Sequence, residues 1–150
     1  MMRKAVTPCL WLDGHAEAAA AFYCSVFADS EVTAVTPGPT GAVLVVEFRL
    51  AGRRYLALNG GPMFKLTEAF SLSVECDTQA EVDHLWDTLT AGGEPGRCGW
   101  LKDRFGVSWQ VVPRTLPKLL CDPATAGPVM KVMLGMSKLD IAALEAAAAT

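Results

Sequence analysis

Apolar and polar positions repeat along this chain with two periods, and the periods follow each other in a fixed order. The segment 6–12 reads as a strand, and after Asp13-Gly14 the apolar residues Ala19, Phe22, Tyr23, Val26 and Phe27 recur at helical spacing. Three extended runs follow, over 31–36, 42–50 and 54–59, divided by Pro37-Gly38-Pro39 with Gly41 and by Ala51-Gly52-Arg53. The order then begins again, with a strand over 70–76, a helix over 78–91 and extended segments about 97–102 and 107–112. In the second helix Thr78 and Glu81 make a Thr-x-x-Glu capping box, and Val82, Leu85, Trp86 and Leu89 form its apolar stripe. Gly92-Gly93 ends it. From 115 onward Pro117, Pro123 and Pro128 punctuate short helices before the Ala-rich stretch 137–150. This tail reads as core-forming rather than catalytic.

Strand, helix and strand cluster, twice over, predict an α+β fold: tandem βαβββ modules with helices outside curved sheets, and a helical C-terminal tail. Module one covers about 5–62, module two about 68–113 and the tail 115–150, within one domain of 150 residues. Period-two parity then sorts the side chains. Leu44, Val46, Phe48 and Leu50 are expected toward the helices, leaving Val43, Val45, Glu47 and Arg49 opposite. In the next strand Leu56 and Leu58 are expected toward the helices, with Ala57 and Asn59 opposite. Gln110 shares a face with Ser108 and Val112.

With 51% hydrophobic and 19% charged residues, the chain has enough apolar surface to offset the entropy of ordering, which excludes a disordered chain. A formal charge of −3 supplies no cationic field, so nucleic acid is not an expected partner. No apolar run reaches bilayer-spanning length, and residues 1–3 lead into no signal-peptide core; no membrane association is expected. Cys9, Cys24, Cys76, Cys98 and Cys121 are odd in number and never in a Cys-x-x-Cys pair, which fits a reducing cytoplasm. His15 and His84 have no metal-motif neighbours.

Thr7-Pro8-Cys9-Leu10-Trp11-Leu12-Asp13-Gly14 with Ala16-Glu17 and Phe22-Tyr23, then Ala57-Leu58-Asn59-Gly60-Gly61-Pro62, then Cys98-Gly99-Trp100-Leu101-Lys102-Asp103 with Gly106, Ser108, Trp109 and Gln110, resemble a PhnB-like protein. That group belongs to the vicinal-oxygen-chelate superfamily of glyoxalase I, bleomycin-resistance proteins and extradiol dioxygenases. The resemblance spans nearly the whole chain and implies paired βαβββ modules in a half-open barrel around a cavity, commonly in a homodimer. It also implies a divalent metal held by His, Gln and Glu at four positions. These fall at Pro8, Ala57, near Ala69 and at Gln110, so only one possible donor remains, and it is neutral. A hard cation needs several oxygen donors with charge among them. No metal is therefore expected. Some members carry a demethylubiquinone methyltransferase label, yet the Gly-rich turn that would cradle S-adenosylmethionine is missing, and no cofactor is expected.

Four residues are candidate ligand contacts. Gln110 occupies a superfamily ligand position, and a buried amide must find hydrogen bonds. Asn59, the only asparagine, either orients a ligand or serves as an Asn-Gly turn residue. Trp100 would supply an apolar wall. Glu47, with Arg49 beside it, either clamps a polar substrate or makes a solvated ion pair. Cys98 lacks a base and reads as a structural thiol. The function expected is binding of a small organic molecule in the barrel cavity without a metal centre, with enzymatic activity left open. The alternatives are a metal-dependent lyase or dioxygenase and a non-enzymatic interaction module.

Overall fold

The computed structural model describes residues 4–150. The three residues that precede them, read above as leading into no signal core, lie outside the described residues. The chain divides into two compact units, one ending at Leu66 and the other spanning Thr67–Thr150. Each contains a four-stranded sheet, with one helix in the first unit and four in the second, the α+β arrangement that the repeat predicts. Among the described residues no helix is long and apolar enough to cross a membrane.

In the first unit the order is β1 (Cys9–Leu12), α1 (Ala16–Val26), β2 (Glu31–Pro37), β3 (Val43–Leu50) and β4 (Arg53–Asn59). The strands lie as β1-β4-β3-β2, with β1 parallel to β4 and the other pairs antiparallel. The face of α1 that is buried is Ala16, Ala19, Ala20 and Tyr23, a stripe with small side chains that lets the helix lie close to the sheet. Phe22 and Val26 fall on its half-buried shoulder. Beneath it Tyr23, Phe48 and Tyr55 form a ring series, with centroids 6.2 Å and 5.5 Å apart.

The parity expected for β3 holds at Val46, Phe48 and Leu50, all buried, while Leu44 is exposed beyond the turn at Gly38. The parity expected for β4 is reversed. Val46 pairs with Ala57 and Phe48 with Tyr55, so Tyr55, Ala57 and Asn59 face the helix while Leu56 and Leu58 take the other side with Glu47 and Val45. The cause is steric: against an alanine-lined helix the sheet needs a small residue, and Ala57 is fully buried there.

In the second unit β5 (Ser71–Cys76), α2 (Gln79–Thr90), β6 (Glu94–Pro95), β7 (Trp100–Lys102) and β8 (Ser108–Pro113) repeat the order, and α3 (Leu116–Cys121), α4 (Ala126–Met133) and α5 (Ile141–Ala148) follow. The sheet runs β5-β8-β7-β6, with β5 parallel to β8. The Glu81 N–H donates to Thr78 Oγ1 at 3.2 Å. The Glu81 carboxylate accepts from the Asp77 N–H at 2.6 Å, one residue earlier than the expected box. Glycine is required at Gly93, where a Cβ would lie 2.1 Å from the Lys102 carbonyl.

The tail is built into this unit. Leu116, Val129, Leu139 and Leu144 form a buried cluster. The Gln79 amide grips the tail at two points, donating to the Leu139 carbonyl at 3.0 Å and accepting from the Ile141 N–H at 2.8 Å. Backbone N–H groups of Cys98 and Gly99 donate to the carbonyls of Met136 and Ser137.

Candidate functional site

The sheet of the second unit has two unlike faces. Leu101, Trp109 and Val111 are buried on the side that α2 covers. On the other side, pairing of Lys102 with Ser108, Trp100 with Gln110, Ser71 with Ser108 and Ser73 with Gln110 aligns six side chains. Ser71, Ser73, Trp100, Lys102, Ser108 and Gln110 thus share one polar face. Gln110 Nε2 donates to Ser71 Oγ at 3.0 Å, which holds the amide across two neighbouring strands.

At the end of this face lies a pocket of about 100 Å³ lined in part by Glu68, Glu94, Trp100, Lys102 and Ser108. Lys102 Nζ meets Glu68 Oε1 at 2.5 Å. The contact holds the Glu68 carboxyl below its ordinary range and raises the Lys102 ammonium, chiefly through the hydrogen bond between them. Ser108 is 1% exposed, and its Oγ has no hydrogen-bond partner in the protein. A buried hydroxyl left so costs about 1–3 kcal/mol.

The turn before Ser108 is made rigid by Asp103. Its Oδ1 accepts from the N–H groups of Phe105 and Val107, at 2.8 Å and 3.0 Å, and its Oδ2 from Trp109 Nε1 at 2.9 Å. The Lys102-Asp103 and Gly106 to Gln110 motif is therefore a clasp that fixes the β7–β8 connection, with pocket residues at both ends.

Residues 4–112 match the profile of a family described as 3-demethylubiquinone-9 3-methyltransferase. The chain belongs to that family. Within it, the chain is similar to a PhnB protein of Bacillus cereus that carries the same methyltransferase description. The two are 30% identical over 73% of this chain and 99% of that one, with a TM-score of 0.68. Two further solved structures share the fold. One is protein PA1353 of Pseudomonas aeruginosa, 20% identical over 74% of this chain and 98% of that chain, TM-score 0.60. The other is the fosfomycin resistance protein FosX of Listeria monocytogenes, 19% identical over 81% and 100%, TM-score 0.62. Another FosX structure is a complex with Mn(II) and sulfate. No curated protein matches the chain. The PhnB protein and FosX are both vicinal-oxygen-chelate proteins, in line with the resemblance read from the motifs.

For this member of the 3-demethylubiquinone-9 3-methyltransferase family, the donor set does not fit the superfamily's divalent metal. Pro8 and Ala69 have no side-chain donor, and Ala57 points into the helix layer, the residues of β4 on the opposite face being Leu56 and Leu58. Gln110 is a neutral amide already bonded to Ser71. Among the described residues no three His, Cys, Asp or Glu side chains gather as a metal-holding group. Nor does the family's description find an S-adenosylmethionine turn: β1 passes to α1 through Asp13-Gly14-His15, and Gly60-Gly61-Pro62 leads into no helix.

The remaining sequence candidates lie in the first unit or in structural roles. Asn59 Oδ1 accepts from the Ala16 N–H at 2.9 Å and Nδ2 donates to the Val43 carbonyl at 3.0 Å. It thus caps α1 from a distant strand, in place of His15, whose side chain makes no cap bond. Glu47 Oε2 accepts from Arg54 at 2.7 Å, which lowers the carboxyl, while Arg49 bonds Glu31 at 2.9 Å rather than Glu47. Trp11 Nε1 donates to the Gly61 carbonyl at 2.9 Å. Cys98 takes a positive φ of 58° where the chain meets the tail. Sequence reasoning missed Asp103 and the orphaned Ser108 hydroxyl; the shared parity of Ser108 and Gln110 was the available signal.

Proposed function

We propose that this protein binds a small organic molecule on the polar sheet face of its second unit, using neither a metal centre nor an added cofactor. The observation that carries this reading is the side-chain set on that face. Gln110, Ser71 and Ser108 offer directional hydrogen bonds beside the Trp100 indole, on a sheet whose opposite side is a closed core. Gln110 is the central contact and Trp100 the apolar wall. Asn59 and Glu47 support the site less, because their polar atoms already bond within the first unit.

The same reading makes the protein a cytoplasmic homodimer. Five free cysteines and the fully exposed edge strand β2 support it. Calorimetry on hits from a metabolite screen tests the binding. Gln110→Ala should weaken affinity by about 1–3 kcal/mol with the thermal midpoint intact. Unchanged affinity in that variant overturns the site.

A further inference from the structure

The pocket at the end of this face has a charge balance that names its ligand. Its charged lining is two carboxylates, Glu68 and Glu94, and one ammonium, Lys102. Lys102 meets Glu68 at 2.5 Å and lies opposite Glu94 across β6 and β7, so two carboxylates share one ammonium and a net negative charge is left, with Glu94 making no direct ion pair to Lys102. Ser108 adds a hydroxyl, buried to 1% exposure and without a partner in the protein, that can turn its lone pairs toward a donor. Trp100 adds an indole, and a cation beside an aromatic wall is attracted by the ring's electron-rich face. Lone pairs, a net negative charge and an indole together suit a donor-rich cation. An anion would have to displace Glu68 from Lys102 and would still meet Glu94.

We propose that this pocket takes a small protonated primary amine, with Glu94 as its counter-ion and Ser108 Oγ as a hydrogen-bond acceptor. The volume of about 100 Å³ admits an ammonium group with a short carbon stem. This rests on the binding reading above and deepens it, since the ligand of the polar face would then carry an amino group at the Trp100 end. The unsatisfied hydroxyl is the expense that the folded state bears for keeping an acceptor ready.

The test is NMR titration of the full-length protein with ethylammonium chloride, with sodium propionate and propanol as probes of similar size, at matched ionic strength. Ethylammonium should shift the Trp100 indole N–H and the Ser108 amide. Glu94→Gln should weaken it at least fivefold and Ser108→Ala about three- to tenfold. Ser108→Ala should at the same time keep or raise the thermal midpoint, a combination that a merely structural serine would not give. Propionate binding as well as ethylammonium, or an unchanged affinity in Glu94→Gln, overturns the amine assignment. Should ethylammonium fail while a screened metabolite still depends on Gln110, the amine assignment alone falls. Should no ligand depend on Gln110, the binding reading falls with it.

Discussion

At Asp103 a carboxyl group sits almost wholly out of water, 3% exposed, and accepts from three N–H donors of its own turn. Removing it strands the Phe105 and Val107 amides and the Trp109 indole N–H inside the clasp. Asp103→Ala should therefore cost about 3–5 kcal/mol in chemical denaturation, far more than a surface aspartate would. Cys76 gives a second residue-scale prediction. Burial, with smaller help from Glu81 and Asp77, pushes its thiol up to about 11 from 9.0. Below pH 9 both folded and unfolded chains hold the proton; above it the unfolded thiol ionises first, so stability falls as pH rises from 9 to 11. Denaturation across that range should show a steeper loss in the native protein than in Cys76→Ala. Equal slopes would remove the effect. Neither residue's role could be read from composition. The pattern Lys102-Asp103 gave a motif, but only the folded turn shows that its aspartate faces backbone donors.

At the scale of elements, helices and strand order were legible because caps and periodicity are local, as Thr78 with Glu81 and the stripe of Val82, Trp86 and Leu89 show. Faces were less so. Hydrophobicity assigned Leu56 and Leu58 to the helix side, whereas the close approach of Ala16, Ala19 and Ala20 demands Ala57 there. Which residue packs inward was decided by space between two elements, and no single strand carries that information. The two-residue β6 was also illegible, being defined by pairing of Glu94 with Lys102 and Pro95 with Leu101 rather than by its own sequence. The turn after β4 yields a prediction of the same kind. A Cβ at Gly60 would lie 2.3 Å from the Trp11 ring, which is held by its bond to Gly61 and an edge contact with Phe64 at 4.9 Å. Gly60→Ala should lower stability by about 1–3 kcal/mol, and pairing it with Trp11→Ala should recover part of the loss. A neutral Gly60→Ala variant would show that the indole yields freely.

For the molecule as a whole, the repeat and the α+β class came through intact, while the attachment of the tail did not, since Gln79 finds its partners far along the chain. Assembly is the prediction at this scale. β2 is an edge strand of seven residues exposed along its full length, with Val32 and Val35 open to solvent, and Met63 and Phe64 are exposed in the segment after β4. Irregular pairing at Val32/Ala34 and Thr36/Pro37 blunts this edge, yet its valines stay in water, and a partner seated on them would bury that surface. Light scattering at micromolar concentration should give twice the mass of one chain, and a stable single-chain mass would sink the homodimer.

The grip of Gln79 on the tail also orders events in time. Its partners Leu139 and Ile141 lie 60 and 62 residues further along. During synthesis every strand of the first unit has been made by Asn59, whereas α2 must wait for almost all the rest of the second unit before its amide can close on the tail. The first half of the chain can therefore gain protection from proteases while the second is still an open nascent segment, with the Leu116 and Val129 surfaces uncovered until Leu139 and Leu144 arrive. A ribosome stalled between α4 and α5 would hold a chain nearly finished in length whose second unit still lacks the residues that close its core, and that interval is where a chaperone would act.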